Sequence, residues 1–257
     1  MDKNTIVQLN NLNQQFYQKI AADFSETRSQ AWTGWEQLIP IIKKLAETKT
    51  LTTYLDIGCG NGRWANFLYQ HFGQTFTYYG LDNNQQLLDI AQEQLIKLNI
   101  NFELTQVDLV KQLLNSESFI NSVIPKPDVI TVFGVLHHLP SQQLRIKFLT
   151  QLASLLTPDS LLVMTAWQFA DDPKIKNKIV DPQILNIQTN QLEPNDYILD
   201  WQRGETAYRY CHHLVQTEID VLLNSSNLEL ISTFQADGKS NQLNRYLIAK
   251  IKLPVRV

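Results

Sequence analysis

From residue 52 onward, short apolar runs alternate with stretches of helical period, and no other feature restricts the fold of this chain so tightly. TTYLDIG (52–58), FTYYGLD (76–82), NFELTQVDL (101–109), DVITVFGVL (128–136) and LLVMTAWQ (161–168) read as strands. GRWANFLYQHF, QQLLDIAQEQLIKL and SQQLRIKFLTQLASLL fall between them with apolar residues three and four apart. Strands separated by helices of this length build a parallel sheet covered on both faces, an α/β architecture. Such sheets bind ligands in the crevice at the carboxyl ends of their strands, and each of the five runs ends near a polar residue or a glycine.

The flanks are less regular. Leu9, Leu12, Phe16 and Ile20 mark a helix over 5–22, and Trp35, Leu38, Ile39, Ile42 and Leu45 mark a second. Between them the polar connector FSETRSQAWTG is expected to be exposed, with Arg28 and Trp32 on it. Residues 171–195 carry Pro173, Pro182 and Pro194 without a sustained period and read as an insertion or lid. DYILDW and AYRYCHHLV follow as a hairpin turning at Arg203-Gly204. Thr217 with Asp220 has the spacing of a capping box before EIDVLLNSS. LELISTFQ and NRYLIAKI, joined through Asp237-Gly238, close the chain as an antiparallel pair. The expected organisation is one domain: a helical cap (1–48), a core (50–170), an insertion (171–215) and a final helix with two strands (216–257).

Composition narrows the class. The chain has 257 residues, 44% of them hydrophobic and 18% charged, which is enough to build a substantial core. Its longest apolar run, Val129 to Leu136, is far short of the roughly 20 residues that span a bilayer, and MDKNTIVQLNN lacks a signal-peptide core. A cytoplasmic protein without membrane contact is therefore expected. Two cysteines, Cys59 and Cys211, are too few for a disulfide framework or a zinc cluster, so no metal is expected, and both read as small buried residues.

Only nine glycines occur, yet Gly58, Gly60 and Gly62 fall within five residues, in DIGCGNG between a strand and a helix. Glycines there allow a tight turn and a close approach of ligand to backbone. The spacing is GxGxG, which differs from the GxGxxG of dinucleotide sites, and Arg63-Trp64 stand where a P-loop needs Lys and Ser or Thr. Asp56 precedes the turn and suits a cationic ligand portion. Asp82, next to Asn83, ends the second strand about 20 residues on, where a carboxylate accepts hydrogen bonds from ribose hydroxyls. Asp108, next to Leu109, ends the third, where a carboxylate and a backbone amide can read an adenine edge. An isolated aspartate in any of these places would be no more than a helix cap. Three at matching strand ends beside such a turn describe a site for an adenosine-containing ligand with a positive group and no phosphate.

With DIGCGNG, GLD and VDL in place, residues 50–170 resemble the class I S-adenosylmethionine-dependent methyltransferases. The resemblance implies S-adenosylmethionine as cofactor and a Rossmann-like, seven-stranded, mostly parallel sheet with its last strand antiparallel. The flanks FYQKIAADFSETRSQAWTGW, FGVLHHLP and RYCHHL resemble a narrower group, the wobble-uridine tRNA carboxymethyl methyltransferases, which includes the Trm-type enzymes and a methyltransferase domain fused to an AlkB-like oxygenase. That resemblance implies tRNA as partner, a possible small activating subunit, and an acceptor side lined by Arg28, Trp32, His137, Arg209, Tyr210 and His212.

A carboxylate acceptor is already an anion and needs orientation more than a base. An arginine fork orients carboxylates, which points to Arg28 and Arg209, and His137 or His138 can donate a hydrogen bond or position the acceptor. Against RNA stands the charge, 22 basic against 25 acidic residues for a net −3, so any basic face is local, with KIKNK (174–178) and KIKLPVRV at the carboxyl end as candidates. Two alternatives remain: a methyltransferase acting on a small carboxylate, hydroxyl or amine, and a non-catalytic subunit that keeps the fold.

Overall fold

The computed structural model describes residues 1–27, 30–48, 53–120, 124–201 and 206–253. In chain order, α1 spans Lys3–Thr27, a three-ten turn (Thr33–Leu38) leads into α2 (Ile39–Thr48), and strand–helix units follow: β1 (Thr53–Ile57), α3 (Arg63–Phe72), β2 (Thr77–Asp82), α4 (Gln85–Leu98), β3 (Asn101–Gln106), α5 (Leu109–Leu114), β4 (Val129–Val132), α6 (Gln142–Leu155) and β5 (Leu161–Trp167). The insertion carries α7 (Pro173–Lys176), β6 (Ile179–Val180), β7 (Asp196–Trp201) and β8 (Ala207–His212); α8 (Gln216–Ser225), β9 (Leu228–Ala236) and β10 (Asn244–Ile251) complete the chain.

The main sheet has the order β3-β2-β1-β4-β5-β10-β9. β1 to β5 pair in parallel, while β10 runs antiparallel to both its neighbours. This is the seven-stranded, mostly parallel sheet that the sequence implies. Period-two alternation splits the sheet between two cores. Leu55, Ile57, Ile130, Val132, Leu162 and Met164 face one layer with α5, α6 and α8. Tyr54, Val129, Leu161, Val163, Tyr246 and Ile248 face the other, with α2, α3 and α4. The strand order reverses direction around β1, between β2 and β4, and leaves a crevice at the carboxyl ends of these strands.

Several elements differ from the sequence reading, each for a local reason. β4 stops at Val132 although the apolar run continues, because Gly134 takes φ +73° and Leu136–His138 wind into a three-ten turn. β3 ends at Gln106, so Asp108 is not at its end; its side chain instead caps α5 by accepting the Lys111 N–H. Thr217 lies inside α8, whose N-cap is Val215 with no side-chain cap. The insertion is more ordered than its prolines suggest, since β6 joins β7 and β8 in a second antiparallel sheet. The Arg203-Gly204 turn lies outside the described residues.

The insertion and α1 form one layer over the crevice. Phe16 and Ile20 pack on Ala207, and Leu9 packs on Ile198 and Tyr210. Among the described residues, no helix is long and apolar enough to cross a membrane.

Candidate active site

Below this layer lies a cavity of about 520 Å³ whose floor is the glycine turn. Gly58, Gly60 and Gly62 all have positive φ, at +73°, +54° and +78°. The Gly58 and Cys59 N–H groups both donate to the Leu81 carbonyl, at 2.7 and 3.0 Å, which folds the turn back onto β2. A Cβ on Gly58 would sit 2.2 Å from Val135 Cγ2, whereas one on Gly60 would meet nothing within 4 Å. Side chains are thus excluded at Gly58 by contact, and at Gly60 by backbone conformation alone.

One end of the cavity is acidic. Asp82 receives the Gly60 N–H on Oδ2 at 2.8 Å and the Asn84 N–H on Oδ1 at 2.9 Å, so the carboxylate and the turn fix each other; burial raises its pKa. Asp56 is nearly inaccessible and accepts from the Thr131 and Tyr78 hydroxyls, each at 2.6 Å. Burial pushes its carboxyl up to about 7 against those bonds. Asp108 accepts from Asn10 and Gln14 of α1, which draws the helix across this end. Asn83 and Leu109 also line the wall.

The opposite end is aromatic and cationic. Arg209 projects from β8 with its guanidinium carbon 4.8 Å from the Trp167 ring centroid and 5.1 Å from that of Phe16. Among the described residues, its buried Nε–H has no hydrogen-bond partner. Trp201 and Lys178 stand on the same wall. His137 is buried with its ring 5.0 Å from Trp167. Trp32 is half-buried, not exposed as expected, and stacks on Trp35 at 5.6 Å beside Phe133.

Comparison with known proteins bears on this geometry. Residues 25–233 match the family model described as a methyltransferase domain. The chain belongs to this methyltransferase family. The methyltransferase is 27% identical over 160 residues to the Mus musculus tRNA (carboxymethyluridine(34)-5-O)-methyltransferase ALKBH8, which covers 62% of this chain and 20% of that relative. It is 28% identical over 175 residues to the Homo sapiens probable tRNA methyltransferase 9B, covering 68% and 32%. The matches therefore span between a fifth and a third of these relatives. Among solved structures, a S-adenosylmethionine-dependent methyltransferase from Clostridium acetobutylicum superposes with a TM-score of 0.63 at 15% identity, covering 92% of this chain and 99% of that one. The glycopeptide N-methyltransferase MtfA, complexed with S-adenosylmethionine, gives 0.55 at 12% identity, covering 84% and 87%. These likenesses show the fold.

The methyltransferase has a donor set that fits S-adenosylmethionine. Asp82 and Asp108 are carboxylates suited to ribose hydroxyls and an adenine amine, and the Gly60 position leaves open space. Gly58, Gly60, Asp82, Asn83, Asp108 and Leu109 would hold the nucleoside. Asp56 already carries two hydroxyl donors and supports the turn from beneath. Gly62 starts α3 as its N-cap.

Of the residues expected on the acceptor side of the methyltransferase, Trp32, His137, His138 and Arg209 line the cavity. Arg28 lies outside the described residues. Tyr210 and His212 are elsewhere, because alternate residues of a strand point to opposite faces. With Arg209 facing the cavity, both turn into a buried ionic network. The Tyr210 hydroxyl donates to Asp196 at 2.6 Å, and His212 bridges Asp196 at 2.7 Å and Glu218 at 2.6 Å. Arg145, fully buried, donates to Glu218, the Leu139 carbonyl and Glu193. Burial pulls the His212 imidazole down, but the Asp196 and Glu218 bonds outweigh it and leave its pKa raised. The network joins the insertion to α6 and α8 and fixes the strand that carries Arg209.

His138 is likewise a tie. Its Nε2 lies 2.7 Å from the Tyr17 hydroxyl, and its Nδ1 is within reach of Asn13 and the Tyr210 carbonyl. The sequence reading missed Asn10, Asn13 and Tyr17 of α1, Trp167 and Trp201, and it had Lys178 only as part of the basic segment KIKNK. Trp167 was legible by the strand-end rule already applied to the aspartates, whereas Asn10, Asn13 and Tyr17, three and four apart, do not stand out on a helix as rich in Asn and Gln as α1.

Proposed function

We propose that this S-adenosylmethionine-dependent methyltransferase esterifies a carboxylate, the carboxymethyl group of a tRNA wobble uridine. The observation that carries the proposal is Arg209. Its guanidinium lies against Trp167 and Phe16, and its buried Nε–H has no partner among the described residues. A buried donor left unpaired costs about 1–3 kcal/mol, and a carboxylate bound by the guanidinium edge removes that cost. The name of the ALKBH8 relative, a carboxymethyluridine methyltransferase, specifies an acceptor of this chemistry.

When bound, the cofactor supplies an electrophilic methyl group on a positively charged sulfur. The chain's own task is orientation. An alkyl carboxylate is ionised at neutral pH, so no residue need remove a proton, and Arg209 holds the anion while Trp167, Trp32 and the buried ring of His137 exclude water. Of the two histidines, His137 lies buried against Trp167 on the acceptor wall, while both ring nitrogens of His138 tie it to α1 and β8. Arg28, expected as the second arm of the fork, belongs to this proposal on its sequence context alone.

The test incubates the protein with methyl-labelled cofactor and tRNA carrying unesterified carboxymethyluridine, then analyses the nucleosides by mass spectrometry. A labelled methyl ester is expected. An unlabelled tRNA, with label entering low-mass carboxylates, hydroxyls or amines when a metabolite extract is added, would overturn the reading in favour of a metabolite acceptor.

A further inference from the structure

The charge of the chain poses a problem that the cavity does not solve. At net −3 the molecule as a whole does not attract a polyanion, so phosphate contacts must come from a local surface beside the acceptor end. Of the two lysine-rich segments, KIKLPVRV is badly placed. β10 runs antiparallel to β5, and its register puts Asn244 beside Trp167 and Ala249 beside Leu162. Lys250 and Lys252 therefore follow toward the opposite end of the sheet from the cavity, and residues 254–257 lie outside the described residues.

KIKNK is placed differently. Ile175 and Lys178 both line the cavity, and Lys174 and Lys176 flank Ile175 on the exposed side of α7. The segment is held in register: the Lys178 carbonyl accepts the Asp200 N–H at 2.9 Å, and Ile179 pairs with Leu199. Lys178 Nζ lies 5.8 Å from the ring centroid of Trp201.

Neighbouring carboxylates do not quench these charges by direct pairing. Asp172 accepts the Lys174 N–H and Asp181 the Gln183 N–H, as caps of their own turns, and Asp171 lies 3.8 Å from His213 Nε2. Among the described residues, none of the three lysines forms an ion pair. The Lys178 ammonium thus lines a cavity whose rim also carries the indoles of Trp201 and Trp167, and the exposed Lys174 and Lys176 stand on the turn that leads to it. Cations beside ring faces are the pairing used to hold a nucleic-acid backbone while a base stacks.

We propose that Lys174, Lys176 and Lys178 form the contact surface for the phosphodiester backbone of an RNA whose acceptor nucleotide enters the cavity. The proposal rests on the carboxymethyluridine reading and adds how a chain without net positive charge holds the polymer. Lys178 takes the phosphate nearest the acceptor, and Lys174 and Lys176 those beyond it.

The experiment measures binding of an anticodon stem-loop to the cofactor-loaded protein between 50 and 200 mM salt, for the wild type, Lys174→Gln/Lys176→Gln and a Lys250→Gln/Lys252→Gln control. Losing two phosphate contacts should reduce the slope of log affinity against log salt by about 1.4–1.8. The control slope should stay at the wild-type value. The KM for a carboxymethyluridine stem-loop should rise about tenfold or more in the first variant, with cofactor affinity and urea midpoint unchanged. An unchanged slope and KM, with the ester still formed, would overturn the lysine surface and leave the acceptor reading standing. A wild-type protein that neither binds nor esterifies the stem-loop would overturn both.

Discussion

Replacing Asp56 by Asn should change how stability depends on pH, with a sign fixed by burial. The carboxyl lies under the glycine turn with the Thr131 and Tyr78 hydroxyls on its oxygens, and burial pushes it up to about 7. Raising a carboxyl from its ordinary range near 4 to that value is worth on the order of 4 kcal/mol between the two protonation states. The folded chain binds this proton more tightly than the unfolded chain. The associated stability is thus fully present below about pH 4 and is lost as pH rises through about 7. Asn has no proton to lose, so the variant lacks this slope. Its amide matches only one of the two hydroxyl donors as an acceptor, an offset of about 1 kcal/mol that is independent of pH. Urea unfolding without cofactor at pH 5, 6, 7 and 8 measures the difference. Relative to wild type, the variant should gain about 2–3 kcal/mol between pH 5 and pH 8. Parallel curves would refute the claim that burial beneath the turn raises the Asp56 carboxyl.

Two further substitutions test the turn and the network. Gly58→Ala should weaken cofactor binding about tenfold or more, since its Cβ would meet Val135 Cγ2 at 2.2 Å. Adding Val135→Ala should restore all but the roughly 1–2 kcal/mol cost of a left-handed alanine, and no recovery in calorimetric titration would refute the contact. Arg145→Met should cost about 3–5 kcal/mol in urea unfolding, because it strands Glu218 and Glu193. Combining it with Glu218→Gln should recover part of that loss, whereas a loss below about 1 kcal/mol would show that the network does not hold the insertion.

How much of this was legible in the sequence depends on the range of the interaction involved. QQLLDIAQEQLIKL matches α4 residue for residue because both of its ends are coded locally, by the Asn84 cap and by Asn99 in a left-handed conformation. The sheet was legible because each apolar run is bounded by turn chemistry. Where a local rule met a tertiary one, the local rule lost. Thr217 has the spacing of a cap, but its neighbour Glu218 is drawn into the Arg145 and His212 network, and α8 begins before it. Asp108 looked like a strand end, yet it caps α5 and holds α1, a partner about a hundred residues away in sequence. The split of RYCH between two faces was available from strand periodicity. The Tyr210 and His212 assignments were carried by motif resemblance, which records which residues occur together but not the faces they occupy.

The central claim, that Arg209 orients an acceptor carboxylate beside a bound S-adenosylmethionine, is tested most directly by the kinetics of Arg209→Gln on a carboxymethyluridine stem-loop. Losing charged hydrogen bonds to the acceptor should lower kcat/KM by about 100-fold, at about 1.5–3 kcal/mol for each such bond, while cofactor affinity stays at the wild-type value. A kcat/KM unchanged from wild type, with labelled methyl ester still formed, would contradict the account.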